Sequence, residues 1–258
     1  MTNIINITDT LEKETGRRKD YVFISLFGSH VYGLNDETSD MDWRAFVSPS
    51  FEELYNKEMY SKKVITEAYD LDVHDVRKIP QLFYKSNLNF LEVLFSTSIT
   101  MNNAFPEIKE IMSLRDDIVK MNLPYLYKSC YGMHMQKMSL LNKGSEFTQN
   151  LIEAHGYCTK NALHAYRVLN FIIRFAESDF KDFGKCIWYT GEDKKFMMEI
   201  KKGIFNEDTY RKFIDHYYHS EFVHAESKYM SQKPNEELRD RLNLLIMNMI
   251  KRHLMGVA

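Results

Sequence analysis

A chain of 258 residues with 34 Lys/Arg against 36 Asp/Glu is long enough for one large domain or two small ones, and its net charge of −2 gives no global attraction to nucleic acid. Hydrophobic content of 44% beside 27% charged residues excludes a disordered chain. No apolar run reaches the ~18 residues a membrane span needs, and no secretory signal pattern opens the chain, so a cytoplasmic protein without a membrane partner is expected.

Cys130, Cys158 and Cys186 are far apart and lack any Cys-x-x-Cys, which reads as free thiols rather than a disulfide framework or a zinc site. The two parts of the chain differ in charge. Residues 1–100 hold 11 Lys/Arg against 16 Asp/Glu, and the remainder holds 23 against 20. An acidic part beside a mildly basic one is compatible with nucleotide or RNA binding.

In chain order, residues 8–19 read as a charged helix with a loose capping pattern at Thr8, and Arg17-Arg18-Lys19 as its solvated end. Residues 21–27 have the length and the β-branched and aromatic content of a strand, which stops at Gly28. Gly28-Ser29 permits a tight turn whose N–H groups and hydroxyl can face a phosphate, followed by a short helix around 31–34. Ser39-Asp40-Met41-Asp42 leads into a second strand, 43–47. Residues two apart on a strand share a face, so Asp40 and Asp42 project together while Met41 points to the core. Two adjacent carboxylates resist joint ionisation unless a cation lies between them, which suits Mg²⁺ and its oxygen ligands.

Ser50 with Glu52 and Glu53 starts a short helix over 50–57. Residues 62–69 suggest a strand, and residues 69–76 alternate polar and apolar. Leu71 and Val73 then face the core, with Asp70, Asp72 and His74 opposite. Residues 77–96 read as one helix with Ile79, Leu82, Phe83, Phe90, Leu91, Leu94 and Phe95 on its packing side.

Beyond Ala104 helical periodicity dominates, with helices over 106–117, 125–141 and 148–177. In the third, Cys158, Ala162, Ala165, Leu169 and Ile172 form a buried stripe, while Lys160, His164 and Arg167 stack along another side. That basic row suits a triphosphate as well as it suits an exposed surface stripe. A strand-like run at 184–189 is followed by helices over 191–202, 209–228 and 235–254, with Pro234 at the last break. His216, His219 and His224 span more than one helix face and make a poor zinc set.

The order strand, Gly28-Ser29, then Ser39-Asp40-x-Asp42 entering a strand resembles the nucleotidyltransferase superfamily of DNA polymerase β. Two further runs are similar to its RlaP-like members, predicted nucleotidyltransferases found beside RNA-repair genes and in bacteriophages. One is Arg77-Lys78 followed by Asn87-x-Asn89-x-x-Glu92-x-Leu94, departing at Leu88, where that family often has Pro. The other is Lys160-x-x-x-His164-x-x-Arg167.

The resemblance implies an α+β fold: a small mixed β-sheet nucleotidyltransferase core with flanking helices over 1–103, then an all-helical part over 104–258. It implies transfer of a nucleotidyl group from a nucleoside triphosphate to an acceptor hydroxyl, releasing pyrophosphate. Asp40 and Asp42 would hold one or two Mg²⁺ (or Mn²⁺). Asp70 or Asp72 would supply the third carboxylate, Asp70 being the first choice as a metal ligand. Gly28, Ser29, Lys160, His164 and Arg167 would bind the nucleotide, and Glu92 is a further residue to weigh. An RNA or tRNA end is the favoured acceptor. The rival readings are a protein-AMPylating transferase of antitoxin type and a nucleotide- or RNA-binding module without turnover.

Overall fold

The computed structural model describes residues 4–37, 39–145 and 148–256. Met1–Asn3, and Thr38 in the turn-rich stretch before Asp40, lie outside them. The fold is mixed α+β, with five strands in the order β3-β4-β2-β1-β5. These are β1 (Tyr21–Phe27), β2 (Met41–Val47), β3 (Ser61–Ile65), β4 (Tyr69–Asp75) and β5 (Ile99–Met101). β2 and β4 run parallel, and the other pairs are antiparallel. β5 is a short edge strand with no distinct sequence signal of its own.

Alternation divides the sheet into two faces. Ile24, Leu26, Trp43, Ala45, Val47, Leu71 and Val73 point one way and are buried with Ile7 and Leu11 of α1 (Ile4–Thr15). Met41 packs at the margin of that cluster, as its place between two aspartates requires. Phe23 and Phe46 point the other way into a larger apolar cluster that continues through the helical part. Their rings stack at 4.6 Å between centroids.

The first strands are joined through α2 (Ser29–Tyr32), and β2 is followed by α3 (Phe51–Tyr55). At α3 the expected cap is a full capping box: Ser50 accepts from the Glu53 N–H, and the Glu53 carboxylate accepts from that of Ser50. Two readings of the N-terminal region change. Thr8 lies inside α1 rather than at its start. Arg17 is not solvated: it pairs with Glu53, and its guanidinium stacks 4.2 Å over Tyr60.

The helix expected over 77–96 is broken into a 3₁₀ turn (Val76–Lys78), α4 (Ile79–Tyr84), α5 (Leu88–Leu91) and a second 3₁₀ turn (Glu92–Phe95). Ser86 at φ 47° causes the break, and Asn87 restarts the helix by accepting from the Asn89 N–H. The sharp turn aims Glu92 inward.

The helical part comprises α6 (Glu107–Ser113), α7 (Arg115–Ile118), α8 (Leu123–Ser139), α9 (Gln149–His155), α10 (Thr159–Glu177), α11 (Phe183–Ile187), α12 (Gly191–Lys201), α13 (Glu207–Tyr217), α14 (Val223–Met230) and α15 (Glu236–Leu254). The expected 148–177 helix is split by Gly156 at φ 81°. α10 then carries the predicted stripe, with Cys158, Ala162, Ala165, Leu169 and Ile172 all fully buried.

The run 184–189 is mostly helix, not strand. A short apolar run does not distinguish the two, and Phe183 is drawn into the helical core, 4.8 Å from the Phe95 ring. Asn235, rather than Pro234, caps α15, accepting from Leu238. All three cysteines are free and buried. Among the described residues no helix is long and apolar enough to cross a membrane.

Candidate active site

Gly28 ends β1 with φ 77° and ψ −149°, a conformation that side chains other than glycine enter only under strain. A Cβ there would lie 2.7 Å from Oδ2 of Asp42, so the glycine lets the turn lie directly against that carboxylate. Ser29 opens α2, whose first turn closes with the Val31 N–H on the Gly28 carbonyl at 2.9 Å.

Register assembles the carboxylates. Asp42 is opposite Phe27 on β1 and opposite Asp70 on β4. Partners on a ladder project to the same face, so Asp42 and Asp70 stand side by side. One step along, Arg44 is opposite Asp72, and beyond it Phe46 is opposite His74. Asp40 immediately precedes β2. Burial pushes the Asp42 carboxyl up, Asp70 and then Asp40 push it further, and Lys160 and Lys63 oppose them.

Asp70 and Asp72 are used differently. Asp70 bonds Lys63 Nζ of β3 at 2.8 Å. Asp72 pairs with Arg44 Nη2 at 3.4 Å. Arg44 is buried, donates from Nη1 to the Asn89 carbonyl, and is sandwiched between Phe27 and Phe90 at 4.0 and 4.4 Å. Asp72 therefore neutralises a built-in cation, whereas Asp70 meets a lysine whose side chain is half exposed.

The basic row of α10 is not one continuous surface. Lys160 is exposed at the helix start and lies within the field of Asp42. His164 is held well below its ordinary value by burial, by Arg167 and by Lys137. It accepts from Arg167 Nη2 at 3.3 Å. Arg167 is only 3% exposed. Its guanidinium lies 3.6 Å over the Tyr32 ring, with Nη1 3.9 Å from Glu92.

Three residues enter that local sequence pattern did not single out. Lys63 reaches Asp70, Lys137 of α8 lies in the field of Lys160 and Arg167, and Lys201 of α12 bonds Asp36 at 2.8 Å and Ser39 at 3.1 Å. Lys137 and Lys201 come from elements distant in sequence, and Lys63 from the strand just before β4, brought to Asp70 by the antiparallel β3–β4 pairing.

The donor set fits a divalent cation. Asp42 and Asp70 offer hard oxygens side by side, and their mutual repulsion is what a cation between them relieves. Among the described residues no three His, Cys, Asp or Glu side chains already form a metal cage.

A family model described as the RNA repair pathway DNA polymerase beta family, RlaP, matches residues 5–248. The chain belongs to the RlaP family. RlaP membership makes it a nucleotidyltransferase of the polymerase β superfamily, the class that the Gly28-Ser29 and Asp40-x-Asp42 pattern resembles. No curated protein matches. A nucleotidyltransferase-like protein from Exiguobacterium sibiricum is a structural neighbour at 10% identity, covering 99% of this chain and 77% of the other. The TM-score between the two is 0.30.

Proposed function

We propose that this RlaP-family chain is a metal-dependent nucleotidyltransferase that moves a nucleoside monophosphate from a nucleoside triphosphate to the terminal hydroxyl of an RNA, a tRNA end included. The observation that carries the reading is the in-register pair Asp42–Asp70 lying against the Gly28 turn. Asp40, Asp42 and Asp70 would hold one or two Mg²⁺, or Mn²⁺. Such an ion supplies charge neutralisation at the phosphates and at the attacking oxygen.

The protein's own contribution is placement. Gly28 and Ser29 present the turn to the β- and γ-phosphates, while Lys160 supplies a mobile cation at the rim and His164 a neutral imidazole beside it. In the reaction the acceptor oxygen forms a bond to the α-phosphorus as the bond to the bridging α,β-oxygen breaks. Pyrophosphate leaves with that electron pair, and the acceptor proton passes to the Asp70 carboxylate. Asp72, committed to Arg44, supports the strand rather than the reaction. On this division residues 1–103 carry the chemistry, and residues 104–258 add basic and bracing side chains. The RNA acceptor rests on the family's description as an RNA repair pathway enzyme.

The test is incubation with each α-³²P nucleoside triphosphate, Mg²⁺, and host RNA or host protein in separate reactions. Label entering RNA supports the proposal. Label entering protein alone replaces the acceptor with a side-chain hydroxyl, and nucleotide binding without incorporation points to a binding module.

A further inference from the structure

Behind the Gly28 turn lies a buried charged cluster that the proposed chemistry does not use. Glu92 is 1% exposed and Arg167 3%, so both charges are withdrawn from solvent. Glu92 contacts both ends of one short segment. It accepts from the Tyr32 hydroxyl; burial pushes its carboxyl up, while Arg167, that hydroxyl, Arg44 and the Gly28 backbone N–H draw it back down. The Arg167 guanidinium covers the Tyr32 ring at 3.6 Å and sits 3.9 Å from Glu92. Tyr189 closes the grip: its N–H donates to the Tyr32 carbonyl at 2.9 Å, and its hydroxyl donates to the Arg167 carbonyl at 3.3 Å. Segment 28–32 is thus held at its amide, ring, hydroxyl and carbonyl, and its other side is the Asp42 carboxylate.

We infer that Glu92 and Arg167 form a positioning pair that braces the Gly28–Tyr32 turn against Asp42, and that Arg167 influences a triphosphate through this turn rather than by touching it. The inference rests on the nucleotide reading above and changes what the Lys-x-x-x-His-x-x-Arg pattern means here. Lys160 reaches the rim, whereas the last member of the row faces inward. Its Nη1 lies 3.9 Å from Glu92 without a hydrogen bond, its Nη2 donates to His164, and its face is covered by Tyr32, so the guanidinium is directed at the interior. A buried ion pair of this kind contributes arrangement more than net stability, and losing one partner leaves the other charge uncompensated.

Rescue distinguishes the two roles. Arg167→Met is expected to weaken binding of a Mg²⁺–nonhydrolysable triphosphate by about tenfold or more, because Glu92 is left as an orphan charge under the turn. Glu92→Gln added to Arg167→Met removes that orphan and is expected to bring affinity back to within roughly threefold of wild type. A direct phosphate ligand would not be rescued by neutralising Glu92, so an unrescued double variant overturns the inference.

Hydrogen exchange at the Gly28 amide, measured without nucleotide, gives a second readout. It should accelerate in Arg167→Met and recover in the double variant; unchanged exchange in the single variant also overturns the pairing. If Arg167→Met does not fold, Glu92→Gln alone replaces it and should show the same acceleration. If the wild type binds no triphosphate, the function reading fails, and the exchange result alone decides whether the pair braces the turn.

Discussion

Gly28 and Asp42 touch across the β1–β2 ladder so closely that a methyl group on the glycine would lie 2.7 Å from the aspartate Oδ2. The same glycine sits at φ 77° and ψ −149°. Gly28→Ala therefore meets backbone strain and a clash at once, at a cost of about 1–3 kcal/mol. Relief of either moves the turn or the carboxylate. The expected outcome is a lowered melting temperature together with loss of Mg²⁺-dependent nucleotide binding, read by thermal unfolding and calorimetry.

Asp70 and Asp72 separate stability from chemistry. Asp70 stands beside Asp42 and bonds a half-exposed lysine, so Asp70→Asn should cost under about 1 kcal/mol of stability. Transferase activity should fall on the order of a hundredfold or more. Asp72→Asn leaves the buried Arg44 without its carboxylate and should cost about 1–3 kcal/mol, while activity falls less than about tenfold. Denaturant midpoints and initial rates of the two variants check the contrast.

Lys201 ties α12 to the loop that delivers Asp40. Its ammonium meets Asp36, the Ser39 hydroxyl and, at 3.4 Å, the Leu34 carbonyl. Lys201→Met should leave the melting temperature nearly unchanged, because the pair is partly exposed. Half-saturation by Mg²⁺ should rise several-fold, on the order of 1 kcal/mol of lost positioning, as measured by titrating activity with the ion.

His74 gives the fold an acid sensitivity. Burial, followed by the Arg44 charge, lowers its pKa from 6.5 to about 4. The unfolded chain takes up a proton as pH falls below 6.5, while the folded ring resists until about 4, so stability is lost across that window as pH decreases. His164 acts with the same sign. His74→Phe should flatten the decline of melting temperature between pH 7 and pH 4 relative to wild type; an unchanged slope would assign the acid loss elsewhere.

The alternation over 69–76 and the Gly-Ser and Asp-x-Asp spacing were legible because they are local: the strand period of two and the φ demand of glycine appear within a few residues. The pairing of Asp42 with Asp70 was not, since Asp70 and Asp72 lie on the same face and only the parallel register of β2 with β4 sets which one is adjacent. The inward turn of Glu92 was hidden by an apolar pattern that reads as one helix across Ser86. Arg167 read as an accessible cation, for a triphosphate or for solvent, because helical spacing gives its side of α10 but not the fact that Tyr32 and Glu92 cover that side.

Pyrophosphate release in the presence of RNA and each nucleoside triphosphate, followed for wild type and Asp42→Asn in Mg²⁺ and in EDTA, tests the central claim. Release by the wild type with at least one triphosphate in Mg²⁺, and its abolition by EDTA or by Asp42→Asn, is the predicted result. Equal release by the variant, or no release from a wild type that binds triphosphate equally well in EDTA, would contradict a metal-dependent transferase centred on Asp42.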